Sequence, residues 1–176
     1  MRYWLMKSEP DVFGIDDLER APGRTTGWEG VRNYQARNML RDDFRAGDRA
    51  FFYHSSCEVP GVAGVVQVVR AAYADPTQFD AKSEYHDAKS TREAPRWFAV
   101  DVQLERRIEP VITLPELREH ERGALRDMLI LQRGNRLSVT PLTAEEWRCI
   151  LALRPSRAPS RAKTTTAVTG RSSKKS

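Results

Sequence analysis

The sequence predicts an α+β fold in which several strands form a curved sheet, a small barrel with short helices around it. Three segments carry the strand signal: residues 49–54 are rich in aromatic side chains, residues 62–69 are rich in valine, and residues 97–104 alternate apolar and polar side chains. No regular alternation of strands and helices is present, which argues against a doubly wound parallel sheet.

The first part of the chain predicts a short strand followed by a short helix. Residues 2–5 alternate weakly, and Pro10 imposes an extended conformation on the residue before it, so residues 7–10 are predicted to leave the strand. Residues 13–21 favour a helix, which the Pro-Gly pair at residues 22–23 ends.

A second helix is predicted to begin at Asn33. Ala36, Leu40 and Phe44 recur every four residues and form an apolar stripe, and the Asn33 side chain is suited to cap the first turn. Between the last two long strands, the polar stretch at residues 75–95 is predicted to be a loop with a helical turn.

Local signals also order the remaining segments. Gly64 marks a bulge or a close backbone approach within its strand. Residues 113–117 resemble a helix start, with a threonine cap and a proline in the first turn. Residues 124–131 favour a short helix, residues 137–139 a short strand, and residues 143–153 a final helix opened by a capping box.

The composition predicts one globular domain. The 176 residues are 40% hydrophobic and 30% charged, and no apolar run is long enough to span a bilayer. The N-terminus becomes charged too early for a signal peptide, so the expected location is cytoplasmic or nucleoid-associated. Cys57 and Cys149 are interpreted as reduced thiols, and no CxxC or HExxH spacing suggests zinc.

The net charge of +5 is distributed unevenly along the chain. Residues 154–176 contain seven basic and no acidic residues, which leaves residues 1–153 with 22 Lys and Arg against 24 Asp and Glu. The body therefore sums to about −2. With few large apolar residues to bury, residues 154–176 are predicted to be a disordered basic tail.

The stretch at residues 28–38 has the composition of a base-reading surface. It combines Trp28 and Tyr34 with arginines and amide side chains around Gly30. Aromatic faces stack on planar rings, and amide or guanidinium groups read base edges. The alternative is a loop that enters a helix, with Trp28 filling the core. Residues 7–10 and 132–138 carry similar polar chemistry, with a solvated turn as the alternative for each.

Catalytic and phosphate-binding patterns are weak. Neither GxGxxG nor GxxxxGK[ST] occurs, which argues against dinucleotide-binding and nucleotide-hydrolysing folds. His54 with Ser55 or Cys57 suggests a nucleophile and its base, but adjacent strand residues point to opposite faces, which makes a direct His54–Ser55 pair difficult. The paired carboxylates at residues 16–17 and 42–43 are interpreted as solvated surface.

Four segments in order resemble the EVE domain family over about residues 2–153. They are Lys7-Ser8-Glu9-Pro10 after a Trp-Leu strand, Trp28-Glu29-Gly30-Val31-Arg32-Asn33-Tyr34-Gln35-Ala36-Arg37-Asn38, Phe52-Tyr53-His54-Ser55 and Arg133-Gly134-Asn135-Arg136-Leu137-Ser138-Val139. The resemblance implies a PUA-like bent β-barrel with peripheral short helices, related to the YTH, ASCH and SRA-type readers. It places the EVE domain at residues 1–153, outside the tail.

The resemblance also implies a non-enzymatic protein that holds a modified or flipped nucleobase of DNA or RNA, without metal or cofactor. Carried over by motif, the ligand-binding residues are Lys7, Ser8, Trp28, Arg32, Asn33, Tyr34, Tyr53, His54, Ser55, Arg133, Asn135, Arg136 and Ser138.

We expect Trp28 to be the stacking wall, with Tyr34 or Tyr53 as a second wall and Asn33 or Ser8 reading the base edge. Because the body is slightly acidic, phosphate attraction is expected from the tail or from a local patch, for which the candidates are Arg32, Arg37 and Arg41.

Two alternatives to this reader remain at the level of sequence. The first is an enzyme acting on nucleic acid or a nucleotide through His54 with Ser55 or Cys57. The second is a nucleoid or ribosome accessory protein that binds through its basic tail and is insensitive to base modification.

Overall fold

One six-stranded sheet forms the centre of the structure. The computed structural model describes residues 1–154, and the strands are β1 (Tyr3–Ser8), β2 (Thr25–Gly27), β3 (Arg49–His54), β4 (Gly61–Ala74), β5 (Phe98–Thr113) and β6 (Val139–Leu142). Their order is β2-β5-β4-β3-β1-β6, with β1 parallel to β3 and the other neighbours antiparallel. Within residues 1–154 the edge strands β2 and β6 do not pair, so the sheet is open.

Short helices surround this sheet, and the predicted α+β class is confirmed. The α-helices are α1 (Pro10–Phe13), α2 (Ile15–Arg20), α3 (Tyr34–Asn38), α4 (Leu114–Arg118) and α5 (Ala144–Leu153). Turns of 3₁₀-helix lie at Pro22–Arg24, Pro76–Phe79 and Leu129–Leu131, and α3 continues into a π-helical turn at Met39–Asp43.

The two longest strands of the sheet, β4 and β5, pair irregularly. β4 and β5 contain 14 and 16 residues, and their pairing shifts register at four points. Gly64 lies at the first shift, where a Cβ would approach Cδ1 of Ile15 to 2.7 Å. The bulge and close approach predicted at Gly64 are therefore both confirmed. Each bulge bends its strand and increases the twist.

Two hydrophobic cores lie on the two sides of the sheet. Trp28 and Phe52 belong to the first core. Phe51 and Tyr53 belong to the second, in which Phe51 stacks on Trp147 with ring centroids 4.1 Å apart. This division follows from the strand itself, because successive side chains of β3 point to opposite faces.

The helix caps agree with the sequence. The Asn33 carboxamide oxygen accepts a hydrogen bond from the Ala36 N–H at 3.0 Å, which confirms the predicted cap. Thr113 and Thr143 each form a capping box with the glutamate three residues later. Such caps need only neighbouring residues, and for that reason the sequence predicts them well.

Two predicted helices differ from the structure. The helix expected at residues 13–21 is divided by Gly14, whose extended backbone (φ −101°, ψ 178°) separates α1 from α2. The helix expected at residues 124–131 is instead a series of turns, because the extended backbone of Met128 interrupts it before the final 3₁₀ turn. The three-residue strand β2 was not predicted.

The described structure ends at Arg154, whose guanidinium donates to the Glu116 carboxylate at 2.6 Å. The predicted tail at residues 154–176 otherwise lies outside the described residues. In the part of the chain that the structure describes, no helix has the length and apolar character needed to cross a membrane.

Candidate functional site

An open cleft of about 690 Å³ lies on the side of the first core. Its walls are the end of β1, the loop that follows β2, and the loop between β4 and β5. Six of the predicted site residues line it: Lys7, Ser8, Trp28, Arg32, Asn33 and Ser138. The lining residues outside the predicted ligand-binding set are Glu9, Val12, Phe13, Thr26, Gly27, Glu29, Gly30, Val31, Thr77, Glu84 and Tyr85.

The end of β1 forms one rim of the cleft. The Lys7 backbone N–H donates to the Ser138 carbonyl at 2.7 Å, which brings two segments far apart in sequence to the same rim. Ser8 donates its hydroxyl proton to the Phe13 carbonyl at 2.6 Å. Partial burial lowers the pKa of Lys7. The rim therefore offers an ammonium group and a hydroxyl oxygen to a ligand.

Trp28 joins the cleft to the hydrophobic core. Its side chain is 7% exposed and packs edge-on against Phe52, with ring centroids 5.4 Å apart and an interplanar angle of 84°. The Trp28 backbone N–H donates to the Val100 carbonyl at 2.7 Å. Both interpretations of Trp28 are therefore correct in part. Most of its side chain fills the core, and the remaining surface lines the cleft. Its stacking role stays a prediction.

The loop between β2 and α3 contacts Tyr85 closely at Gly30. Gly30 has a positive φ of +77°, and a Cβ there would lie 2.9 Å from the Tyr85 ring. Both observations require glycine at this position, because other residues are strained at positive φ and the ring leaves no room. Gly30 thereby allows the two loops to meet over the cleft.

Arg32 is the main polar link between these loops. Its guanidinium donates to the Tyr85 carbonyl at 2.6 and 2.9 Å, to Thr77 Oγ1 at 2.9 Å and to Asp75 Oδ2 at 2.9 Å. It also donates to the Val31 carbonyl at 3.1 Å. All N–H groups of the guanidinium are therefore engaged within the protein. Arg32 was predicted to attract phosphate. It does line the cleft, but its guanidinium is used to hold the two loops of the wall together.

Asp75 is the buried partner of this arginine. Its carboxylate is fully buried and accepts from Gly30 N at 2.8 Å, Arg32 Nη1 at 2.9 Å, Thr77 N at 2.8 Å and Thr77 Oγ1 at 2.6 Å. Burial alone would raise the pKa of Asp75, but these hydrogen bonds outweigh it and the pKa is lowered. A fully buried carboxylate with this many donors fixes the geometry of both loops.

Gln78 closes the base of the loop between β4 and β5. Its buried carboxamide donates to the Asp75 and Trp97 carbonyls at 2.7 and 2.8 Å, and accepts from Arg96 N and Trp97 N, each at 3.0 Å. One side chain thus joins the two ends of the loop with every hydrogen-bonding group used.

Tyr34 lies beside the cleft rather than in its lining. It is 49% exposed and stacks on Trp97, with ring centroids 4.9 Å apart and an angle of 26°. Its hydroxyl accepts from Arg96, and the Arg37 guanidinium carbon lies 5.0 Å from its ring centroid. The predicted second wall is therefore an aromatic and cationic surface next to the cleft.

Tyr53, His54 and Ser55 lie outside the cleft lining, contrary to the predicted role of this strand end. Tyr53 is 3% exposed in the second core, and burial raises its pKa to about 12. Because strand residues alternate, Tyr53 cannot share the side occupied by Phe52. Tyr53 is thus excluded as the second stacking wall. Ser55 contributes its backbone N–H to the Ser8 carbonyl at 2.9 Å.

His54 has a structural partner. Its Nε2 accepts from the Ile15 backbone N–H at 3.1 Å, at the first turn of α2. Burial lowers the pKa of His54, which favours the neutral ring that this acceptor role requires. The nitrogen that would take a proton from Ser55 or Cys57 is therefore already occupied.

The predicted turn at residues 133–138 contributes only Ser138 to the cleft lining. Asn135 uses its carboxamide within the turn, donating to the Leu129 carbonyl and accepting from Leu137 N, at 2.7 and 2.8 Å. Arg133 and Arg136 are exposed on the turn outside the lining. The turn at residues 133–138 resembles the stretch at residues 28–38 in composition, but its Asn135 side chain stabilises the turn and does not line the cleft.

Glu29 is one of the charged residues of the cleft lining. Across residues 1–154 its carboxylate forms no hydrogen bond or ion pair. Burial, followed by the nearby carboxylates of Asp75 and Asp101, raises the pKa of Glu29. The same residues 1–154 contain no cluster of three or more His, Cys, Asp or Glu side chains suited to a metal ion.

Three of the unpredicted lining residues, Thr77, Glu84 and Tyr85, come from the loop after β4. One signal was available: a polar loop of about twenty residues inside a compact domain is uncommon and is often functional. Asp75 and Tyr85, the residues of this loop that bind Arg32, are 43 and 53 positions away from it in sequence. No local sequence pattern therefore identified these contacts.

Known proteins resemble this chain over most of its length. The EVE domain profile matches residues 2–153. Thymocyte nuclear protein 1 of Danio rerio is 47% identical over 165 residues, covering 85% of this chain and 71% of that protein.

Two solved structures extend this likeness to the fold. The crystal structure of a Pseudomonas syringae protein superposes with a TM-score of 0.81 at 51% identity, covering 86% of this chain and 99% of that one. The crystal structure of human THYN1 protein in complex with 5-methylcytosine-containing DNA gives 0.83 at 42% identity, covering 90% and 100%. The predicted PUA-like fold is confirmed by this likeness.

The prediction of a cytoplasmic location is wrong by the same comparison, because the curated relatives from fish, bird and human are named nuclear proteins. That prediction relied on an early charge in place of an apolar leader. An early charge does not distinguish among the compartments that proteins reach without an apolar leader.

Proposed function

The chain belongs to the EVE domain family, and from that premise we propose that it is a nucleic-acid-binding reader that holds one modified nucleobase in the cleft. The observation that carries the proposal is the position of Trp28, Ser8 and Asn33 around a single cleft of about 690 Å³. This volume is within the range of small-ligand sites. Further support comes from the human relative, which was solved with 5-methylcytosine-containing DNA.

The base would leave its stack and enter between the loops. Flipping a base from a duplex costs a few kcal/mol, and stacking on an aromatic side chain contributes about 1–3 kcal/mol in return. Trp28 supplies the aromatic surface. Asn33 uses its oxygen to cap α3, while its Nδ2 makes no hydrogen bond within residues 1–154 and is available to the base edge.

The nucleic-acid backbone would contact the surface beside the cleft. Arg37 and Arg96 flank the exposed ring of Tyr34 there. Arg41 is exposed one turn beyond Arg37 and forms an ion pair with Asp42 at 2.7 Å. Arginines around an aromatic face suit both phosphates and unstacked bases. Arg32 contributes indirectly, since its donors hold the cleft wall.

The reader would bind its base without changing it. An enzyme based on His54 has less support, because His54 Nε2 accepts from the Ile15 N–H and cannot at the same time serve as the base for Ser55. The two functions differ in outcome: a reader returns the oligonucleotide unchanged, whereas an enzyme alters its mass.

The first prediction tests this function directly. We expect the protein to bind an oligonucleotide with one 5-methylcytosine more tightly than its unmodified counterpart, because the cleft encloses the base and its substituent. Fluorescence anisotropy with matched DNA and RNA probes measures the preference, and mass spectrometry after prolonged incubation checks that the probe is unchanged.

Equal affinity for modified and unmodified probes would contradict the reader and favour binding through the basic tail. A change in probe mass would instead favour the enzyme. Isolating the protein from cells and identifying the enriched nucleosides extends the test to other modifications.

The second prediction concerns residues 155–176, which hold six basic and no acidic residues. We propose that they add phosphate contacts and no base selectivity. Their deletion is expected to lower affinity and flatten its dependence on salt, because fewer counterions are released on binding. The affinity ratio between modified and unmodified probes should stay constant. Loss of that ratio on deletion would place base selection in this segment.

A further inference from the structure

Glu29 is a carboxylate without a partner in the wall of the cleft. It lies between Trp28 and Gly30 and lines the cleft with both. A Cβ at Gly27 would lie 3.0 Å from Oε1 of Glu29, so the carboxylate sits against bare backbone. Across residues 1–154 it accepts no hydrogen bond and pairs with no cation.

The surroundings of Glu29 disfavour its negative charge. Asp101 on β5 and Asp75 after β4 are the carboxylates that act on it. Tyr73 on β4 is also near, but it donates its hydroxyl proton to Asp101 Oδ1 at 2.6 Å. Arg70 is paired with Asp101 at 3.9 Å, and the cations of the cleft lining are Lys7 and Arg32. Within residues 1–154 none of these groups is hydrogen-bonded to the Glu29 carboxylate, and the charges that shift its pKa are those of Asp75 and Asp101.

Glu29 is exposed in the free protein, and its carboxylate oxygens are therefore open to a ligand that brings hydrogen-bond donors. An ionised carboxylate has two acceptor oxygens and no donor. Among groups on a nucleobase edge, the exocyclic amino group of cytosine is a donor that Asp and Glu side chains accept from. Thymine has a carbonyl oxygen at the same position, which a carboxylate repels.

Resting on the function proposed above, we propose that Glu29 is a specificity-determining residue that accepts a hydrogen bond from the exocyclic amino group of the bound base. The bases selected in this way carry an exocyclic amino group, as cytosine and its C5-substituted forms do. Bases with a carbonyl at that position are rejected by repulsion between two acceptors.

The protonation state of Glu29 sets this selectivity. The neutral acid carries one donor and one acceptor, so it pairs with a carbonyl as readily as with an amino group. Because the pKa of Glu29 is raised, we expect selectivity to decline as pH falls through that pKa, at a higher pH than for an ordinary glutamate. Selectivity is full above this range.

The test compares 5-methylcytosine with thymine. Both bases carry the same methyl group and differ only in the edge that Glu29 is proposed to read. In otherwise identical single-stranded oligonucleotides, the wild-type protein is expected to prefer 5-methylcytosine by about 5- to 150-fold, the range of one good base-edge contact. Single strands remove the cost of opening a base pair.

The decisive variant is Glu29→Gln, whose amide either accepts from an amino group or donates to a carbonyl. It is expected to bind thymine more tightly, to bring the ratio near one, and to remove the pH dependence of the ratio. Glu29→Ala checks the same loss by truncation. Glu93→Gln removes the same charge from the exposed part of the loop outside the lining, and is expected to keep the wild-type ratio.

An unchanged ratio and pH profile in both Glu29 variants would overturn the inference while leaving the reader intact. A wild-type protein that prefers thymine would also overturn it. Failure of the reader has a different signature, which is equal affinity for cytosine and 5-methylcytosine. Absence of any binding by the wild type overturns both.

Discussion

Replacing Asp75 with alanine is expected to lower the free energy of unfolding by about 3–5 kcal/mol, the usual effect of removing one partner from a buried ion pair. Asp75 is fully buried, whereas its partner Arg32 is 22% exposed. The substitution leaves the Arg32 guanidinium without its counter-ion. It also leaves the Gly30 and Thr77 N–H groups without their acceptor.

Denaturant titration and thermal unfolding measure this effect. For a domain of this size, the loss corresponds to a fall in Tm of roughly 6–20 °C. Asp127→Ala serves as the control, since Asp127 is exposed and its replacement is expected to change stability by less than about 0.5 kcal/mol. A similar small change for Asp75→Ala would mean that the two loops are held by apolar contacts alone.

The lowered pKa of Asp75 also determines how the free energy of unfolding is expected to change at acidic pH. The pKa of Asp75 is lowered in the folded state, because hydrogen bonds from Thr77, Arg32 and Gly30 outweigh the effect of burial. Its contribution is therefore complete above the unfolded pKa of about 3.9 and is lost as pH falls through the folded value. The Asp75→Ala variant should show a shallower loss of stability over this acidic range.

Replacing Trp28 with alanine is expected to reduce both binding and stability. Removing a buried tryptophan costs about 3–5 kcal/mol, because a cavity opens beside Phe52 in the first core. Affinity for a modified oligonucleotide should also fall by about 5- to 150-fold, which corresponds to the 1–3 kcal/mol of stacking per base.

The two effects are separated by a second variant and by temperature. Trp28→Phe keeps an aromatic ring at the cleft and part of the contact with Phe52, so it should retain more affinity than Trp28→Ala. Binding is measured at a temperature where circular dichroism shows each variant to be folded. Wild-type affinity in folded Trp28→Ala would assign Trp28 to the core alone.

The features of the fold that the sequence predicted are those with local causes. Asn33 caps α3 and Thr143 opens α5 because a cap needs only the residues of one helical turn. The strands were likewise found from alternation and from aromatic or β-branched composition. The π-helical turn at Met39–Asp43 and the extended backbone at Gly14 carry no comparable local signal.

The candidate site was predicted only in part, because a cleft is a tertiary feature. Alternation along β3 indicated that Phe52 and Tyr53 face opposite ways, but not which of them faces the cleft. Asp75 and Arg32 are 43 positions apart, and their pairing became visible only in the folded chain. Glu29 stood inside the recognised stretch, yet its lack of a partner is a property of three dimensions.

Gln78 makes the length of the loop between β4 and β5 largely independent of the sheet. Its carboxamide joins the two ends of the loop at Asp75 and Trp97. A change in the number of residues between these ends therefore need not move strands β4 and β5. Doubling such a loop costs only about 0.6 kcal/mol in closure entropy. A protein engineer can therefore lengthen or exchange this cover of the cleft while leaving the strands of the sheet in place.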